Sequence, residues 1–97
     1  MRAVAARVGA AVGARVAQFA VAAYGDAIRF APLDIADFDA CATLIRDVQT
    51  EFGGLDVLVN AAGITRDTTL RKMTADQWHS VLTINLDGVF NMCRNVV

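Results

Sequence analysis

The 97-residue sequence has few of the residues that build cross-linked or metal-bound domains. Its two cysteines, Cys41 and Cys93, lie far apart without a Cys-x-x-Cys pair, and His79 is the only histidine. Disulfide scaffolds and structural zinc sites need denser cysteine and histidine patterns. The sequence therefore predicts no disulfide framework and no metal site, and free thiols of this kind favour a cytoplasmic location.

An excess of positive charge is also lacking. Nine basic and ten acidic residues give a formal net charge of −1, whereas nucleic-acid-binding domains are usually basic. Hydrophobic residues make up 56% of the chain and charged residues 20%, which is too apolar for a disordered segment. The composition predicts a folded chain with a modest core and no nucleic-acid partner.

The first 25 residues contain no acidic residue and no serine. Arg7 and Arg15 interrupt the apolar run that a signal peptide or a transmembrane helix needs, and the lack of serine argues against a mitochondrial transit peptide. Apolar residues recur instead at helical spacing, at Val4, Val8, Val12, Val16 and Phe19. The pattern predicts a helix over residues 1–24 and no membrane association.

The rest of the sequence alternates strand and helix patterns. Residues 26–33 predict a short strand with Pro32 away from a central position, and Asp37 predicts the start of a helix that ends at Gly53. Residues 55–59 are aliphatic, as in a strand buried on both faces of a parallel sheet. Residues 74–77 form a capping box, which predicts a helix running to the end of the chain. This order predicts an α/β fold.

Asn85 is a polar residue within the apolar stripe of this last helix. A buried amide without a partner costs roughly 1–3 kcal/mol, so we expect Asn85 to have one. The partner is either a neighbouring helix or a group in a functional site. The stripe consists of Trp78, Val81, Leu82, Leu86, Val89, Cys93 and Val96.

Two short segments follow the predicted strands, at the sheet edge where open α/β sheets bind ligands. Asn60-Ala-Ala-Gly63 has small side chains that allow close approach, although an ordinary tight turn has the same composition. The carboxylate of Asp34 can accept a hydrogen bond from an adenine amino group or can close a turn. Each segment alone leaves both interpretations open.

Taken together and in order, three segments resemble the short-chain dehydrogenase/reductase family. They are Asp34-Ile35, Leu55-Asp-Val-Leu-Val-Asn-Ala-Ala-Gly-Ile64, and Trp78 with Thr83-Ile-Asn-Leu-Asp-Gly-Val-Phe90. The resemblance implies a partial Rossmann-like, doubly wound parallel sheet holding only the third and fourth strands with their flanking helices. Residues 1–97 would then be a fragment of a single dinucleotide-binding domain, with a poorly matched helical lead at residues 1–24.

The resemblance also implies roles for individual residues. Asn85 would be catalytic: it kinks the helix, and its main-chain carbonyl holds a water of the proton relay. The other residues would bind the adenosine half of a dinucleotide cofactor. They are Asp34, Ile35, Asn60, Ala61, Ala62 and Gly63.

Two further stretches, Gly63-Ile-Thr-Arg-Asp67 and Thr69-Leu-Arg-Lys-Met73, are similar to the 3-oxoacyl thioester reductases, and most of all to those acting on acetoacetyl-CoA. The implied reaction of a full-length member is the reduction of acetoacetyl-CoA to 3-hydroxybutyryl-CoA by NADPH, with NADH as the alternative cofactor. The acyl carrier would be CoA or an acyl carrier protein, and the full-length protein would be a homo-oligomer.

Some motifs of that family do not occur in these 97 residues. There is no Thr-Gly-x-x-x-Gly-x-Gly loop, and Tyr24, the only tyrosine, is followed four residues later by Ile28 instead of lysine. The tyrosine serves the family as general acid. We therefore expect a middle fragment that is inactive on its own, binds NADPH poorly and is marginally stable. The alternative is a non-catalytic remnant or an interaction module that associates through residues 75–97.

Overall fold

The computed structural model describes residues 3–7, 23, 25 and 28–97. Its two strands, β1 (Ala3–Arg7) and β2 (Ile28–Pro32), pair in parallel, with Ala3 opposite Ile28 and Arg7 opposite Pro32. Among the described residues β2 has no other neighbour, so Pro32, which cannot donate to a ladder, lies in an edge strand. The strand predicted at residues 26–33 is confirmed.

The helix predicted over residues 1–24 is wrong at residues 3–7, which form β1. Helix propensity is a weak preference that tertiary contacts override, and the parallel pairing with β2 outweighs it here. The remainder of the predicted helix lies outside the described residues, apart from Ala23. Residues 3–7 therefore belong to the sheet and supply the partner strand of β2.

The strand predicted over residues 55–59 is also wrong, because these residues join no ladder in the described part of the chain. A parallel strand satisfies its backbone groups only beside another strand. Leu55 and Leu58 pack against the core, while Val57 and Val59 are 71% and 78% exposed. The sheet therefore combines β2 with β1 and does not include residues 55–59.

Helix α1 (Phe38–Phe52) begins and ends where the sequence predicts. The Asp37 side chain accepts a hydrogen bond from the Ala40 N–H at 3.0 Å and caps the helix. Gly53 ends it in the left-handed conformation at φ 80°, and its N–H donates to the Gln49 carbonyl. These local signals fix α1 independently of the rest of the fold.

Helix α2 (Ala75–Leu82) begins with the predicted capping box. The Thr74 hydroxyl accepts from the Gln77 N–H at 3.2 Å, and the Gln77 side chain accepts from the Thr74 N–H at 2.9 Å. The helical path then continues through a π-helical turn (Thr83–Asp87) into α3 (Gly88–Val96). The long helix predicted from residue 74 onward is thus present but interrupted around Asn85.

The π-turn changes which residues of this helix face the core. Its wider i to i+5 hydrogen bonding adds one residue to the turn, which rotates the later side chains by roughly 100°. The single apolar stripe is wrong: Leu86 and Cys93 are exposed, and Trp78, which precedes the π-turn, is also 51% exposed. The residues packed inward are Ile84, Gly88, Asn91, Met92 and Val96, of which only Val96 belongs to the predicted stripe.

The core lies between α1, α3 and the segment that follows β2. Its buried apolar residues are Leu33, Ile35, Cys41, Ile45 and Met92. None of the helices in the described portion is both long and apolar enough to cross a membrane.

Candidate functional site

Two short segments contact the helical path that runs from the π-turn into α3. We call residues 34–37, which follow β2, the Asp34 turn, and residues 60–64 the Asn60 loop. Both contain residues that the sequence predicts to bind a cofactor. The structure holds each of them through a side-chain amide, Asn91 for the turn and Asn85 for the loop.

The Asp34 turn is closed by its own aspartate. One carboxylate oxygen of Asp34 accepts from the Ala36 N–H at 2.9 Å, and the Asp34 carbonyl accepts from the Asp37 N–H at 3.0 Å. The Asp34 side chain is exposed. Asp34 therefore closes the turn, which is one of the two interpretations that the sequence left open. Its side chain is also exposed to solvent, where a ligand could reach it.

Ile35 points the other way, into the core. It is buried against Gly88 of α3, where a β-carbon would lie only 2.5 Å from Ile35 Cδ1. Its carbonyl accepts from the Asn91 side-chain amide at 2.7 Å and from the Cys41 thiol at 3.7 Å. Contacts from two helices thus fix the residue next to Asp34.

The Asn60 loop is held by Asn85, which lies at the centre of the π-turn. The Asn85 side-chain oxygen accepts from the Ile64 N–H at 2.8 Å, and its nitrogen donates to the Ile64 carbonyl at 2.9 Å. A β-carbon on Gly63 would lie 3.4 Å from the Asn85 side-chain oxygen, so the loop passes close to the amide. Asn85 thus has the hydrogen-bond partner that the sequence led us to expect, and this partner is the Asn60 loop and not a neighbouring helix.

The rest of the Asn60 loop offers a surface of small side chains. The Asn60 amide donates to the Cys93 sulfur at 3.5 Å, and Ala62 packs against the core. Ala61 and Gly63 are exposed. Small exposed side chains beside a hydrogen-bonded backbone are what a nucleotide needs for close approach, so these residues fit the cofactor that the resemblance implies.

The two thiols differ in environment. Cys41 is fully buried, and this burial, together with the nearby carboxylates of Asp37 and Asp34, raises its pKa above the ordinary value of 9.0. Its thiol therefore stays protonated and unreactive at neutral pH. Cys93 is exposed beside the Asn60 loop. Across the described residues, no three His, Cys, Asp or Glu side chains cluster in a way that could hold a metal ion.

Two residues of this site were assigned no role from the sequence, although Gly88 lies within the segment Thr83–Phe90 that resembles the family. Asn91 is the one buried polar residue in the described part of the chain, and Gly88 is also buried. Both follow Ile84 at helical spacing, and that spacing is the signal in the sequence that could have found them.

Comparisons with known proteins identify the family. The family model described as short chain dehydrogenase matches residues 1–97, including residues 1–24, which carry none of the motifs that resemble the family. The acetoacetyl-CoA reductase of Paracoccus denitrificans is 53% identical over 62 residues, which cover 64% of this chain and 26% of that protein. A 3-oxoacyl-acyl-carrier-protein reductase of Chlamydia muridarum is 37% identical over 73 residues, covering 75% of this chain and 29% of that protein.

A solved structure shows the same fold. The crystal structure of a Burkholderia xenovorans protein, described as a short-chain dehydrogenase/reductase, superposes with a TM-score of 0.87 at 25% identity, covering 98% of this chain and 37% of that one. The chain thus spans between a quarter and a third of the curated relatives cited above. With the family match over its whole length, the chain belongs to the short-chain dehydrogenase family of oxidoreductases.

Proposed function

We propose that this chain supplies the adenosine-binding segments and the relay-positioning helix of an NADPH-dependent 3-oxoacyl thioester reductase. In the complete enzyme, reduced nicotinamide supplies a hydride to the 3-keto carbon of acetoacetyl-CoA, and a proton completes 3-hydroxybutyryl-CoA. The carrier is CoA or an acyl carrier protein, as in the names of the relatives. The enzyme works as a homo-oligomer in the cytoplasm, and NADH is the alternative cofactor.

The double hydrogen bond between Asn85 and Ile64 carries this proposal. It joins a π-turn, a feature frequent at functional sites, to the small-residue segment proposed to receive the cofactor. In this proposal Asp34 and the segment Asn60–Gly63 contact the adenosine half, and Ile35, whose side chain is buried in the core, contributes through its backbone. The main-chain carbonyl of Asn85 holds the relay water, while its side chain fixes the loop.

The 97 residues do not include a tyrosine followed four residues later by lysine, so the general acid of the family is missing from them. We therefore propose that the chain alone neither reduces thioesters nor binds NADPH tightly. The activity requires the additional residues that the relatives possess.

A chimera tests this proposal. The matching 62-residue segment of the Paracoccus reductase is replaced by the corresponding residues of this chain, and acetoacetyl-CoA reduction is followed through NADPH absorbance. We expect activity within about tenfold of the parent. Asn85→Ala keeps the main-chain carbonyl but removes the side chain that fixes the loop, and we expect this misplacement to lower activity at least about 100-fold. A folded but inactive chimera would contradict the proposal and favour a decayed remnant.

A second candidate function rests on an exposed apolar surface. Four apolar side chains, spaced four residues apart on α2, the π-turn and α3, lie 36–62% exposed: Trp78, Leu82, Leu86 and Phe90. Such a surface is typical of protein association. In this alternative the chain is a non-catalytic module that binds an intact relative through residues 75–97. Co-elution of the chain with the intact Paracoccus reductase, abolished by Leu86→Asp, would support it, and separate elution would reject it.

A further inference from the structure

We infer that Asn91 and Gly88 are positioning residues that set the Asp34 turn for nucleotide binding. The inference rests on the proposed function, since it assigns the turn to the adenosine half of the cofactor. It concerns residues beyond those expected to contact the cofactor. Neither residue is itself proposed to contact the cofactor; both contact Ile35, whose side chain points into the core.

The Asn91 amide is a buried donor with a specific acceptor. Asn91 is 6% exposed, and its side-chain nitrogen lies 2.7 Å from the carbonyl oxygen of Ile35. Leaving a buried carbonyl or amide unpaired is costly, so this hydrogen bond specifies one position of the turn relative to α3. The contact reaches the residue immediately after Asp34, whose carboxylate faces solvent.

Gly88 sets the distance at which the turn lies from the helix. A β-carbon at this position would lie 2.5 Å from Cδ1, 2.7 Å from Cγ1 and 3.3 Å from Cβ of Ile35. A rotamer change of Ile35 could move Cδ1 and Cγ1, but the 3.3 Å distance to its β-carbon would remain and would require a further shift of the turn by a few tenths of an ångström. Glycine at this position therefore allows the turn to lie directly on the helix backbone.

The same helical path also holds the Asn60 loop, through Asn85 and Ile64. One rigid element thus contacts both segments proposed to bind the adenosine half. Its two amide contacts, at positions 85 and 91, fix the segments relative to each other. Loss of the Asn91 contact should release the Asp34 turn and leave the Asn60 loop in place.

Asn91→Leu removes the donor while keeping the number and branching of the side chain's heavy atoms, and Asn95→Leu makes the same change as a matched control. Asn95 lies one turn later on α3, and its amide donates at the same 2.7 Å, but to the Asn91 carbonyl within the helix. Hydrogen exchange of the backbone amides reports the turn, and NMR titration of the 97-residue chain with 5′-ADP reports binding. Val48 on the buried face of α1 serves as the internal reference.

For Asn91→Leu we expect the Ala36 and Asp37 amides to exchange at least about tenfold faster than in the wild-type chain, with Val48 unchanged, as in local opening. The dissociation constant for 5′-ADP should rise at least about tenfold, since the competent conformation becomes a minor one. Asn95→Leu should leave both values within about threefold. Equal effects of the two substitutions, or wild-type exchange in Asn91→Leu, would overturn the inference.

Gly88→Ala is the second test and applies even if Asn91→Leu does not fold. It displaces Ile35 while keeping the Asn91 amide, so Ala36 and Asp37 should again lose protection selectively. A loss of protection at Ala36 and Asp37 no larger than the loss at Val48 would contradict the inference, because the contacts would then support the fold in general. Because the chain alone is proposed to bind the cofactor weakly, the 5′-ADP titration extends to millimolar concentrations. An absence of shifts over that range rejects adenosine binding by this turn, and the exchange data still decide the positioning role.

Discussion

The Asp34 turn and the Asn60 loop are held by the same helical path in different ways. The turn follows a paired strand, β2, and its anchors Ile35 and Asn91 are buried. The loop follows a segment that joins no strand in the described residues, and its anchor Asn85 is exposed. A segment proposed to bind a ligand can therefore be positioned by one side-chain amide even where the sheet beneath it is incomplete.

Thiol reactivity should give the largest difference between the two segments, since each has one cysteine nearby. Cys41 is fully buried and donates to the Ile35 carbonyl, whereas Cys93 is exposed next to Asn60. We expect iodoacetamide to modify Cys93 at least about 100-fold faster than Cys41, because Cys41 reacts only after local opening. Peptide mass spectrometry over time measures both rates. Equal rates would show that the Cys41 thiol is accessible to the reagent and would contradict its burial next to the Asp34 turn.

Removal of a buried side chain from the turn should be the next largest effect. Ile35→Ala leaves a cavity against Gly88 and should lower the free energy of unfolding by about 2–5 kcal/mol. The comparison substitution, Val59→Ala, lies at the end of the unpaired segment and removes a largely exposed side chain. It should change the free energy of unfolding by less than about 0.5 kcal/mol. Urea denaturation of both variants measures the difference, and similar losses would remove the contrast between the two segments.

Gly88→Ala tests how tightly the turn packs on α3. Overpacking costs about 1–3 kcal/mol, while alanine gains about 1 kcal/mol of helix propensity at a residue that already has helical backbone angles. The net expectation is a destabilisation of about 1 kcal/mol, measured by thermal unfolding. A stabilised variant would show that Ile35 yields easily and that the glycine is not required for close approach.

The smallest expected effect is a pH dependence that arises from Cys41. Its pKa is raised in the folded chain by burial and by Asp37 and Asp34, so the unfolded chain loses the proton first as the pH increases. The contribution to stability is complete below 9.0 and is lost as the pH rises through the higher folded-state pKa. Denaturation at a series of alkaline pH values should show this decline in the wild-type chain. The decline should be weaker in Cys41→Ala, and an identical slope in both proteins would assign it to other groups.

Local signals in the sequence predicted the helices well. Asp37, Gly53 and the Thr74–Gln77 capping box act within a few residues of their own position, and the structure confirms all three. The strand over residues 55–59 was predicted from a correct aliphatic pattern, but a ladder needs a neighbour that a local pattern does not contain. In the alanine-rich region at the start of the chain, the local pattern predicted a helix. Pairing with β2 makes residues 3–7 a strand instead.

The site was predictable to the extent that its residues lie in recognisable segments. Asn85 and the Asn60 loop were both identified from the sequence, and the structure brings them together. Asn91 was not, because its acceptor, the Ile35 carbonyl, lies 56 residues away along the chain. A contact of this kind depends on how α3 packs against the Asp34 turn, and a local sequence pattern contains no information about that packing.

The claim that one amide side chain positions the Asn60 loop is tested most directly at Ile64. Its backbone N–H donates to Asn85 at 2.8 Å, so hydrogen exchange at this single amide reports the contact. We predict a protected Ile64 amide in the wild-type chain and exchange at least about tenfold faster in Asn85→Leu, a cost of about 1 kcal/mol or more, with Ala36 unchanged. An Ile64 amide that is unprotected in the wild-type chain, or unaffected by Asn85→Leu, would contradict the account.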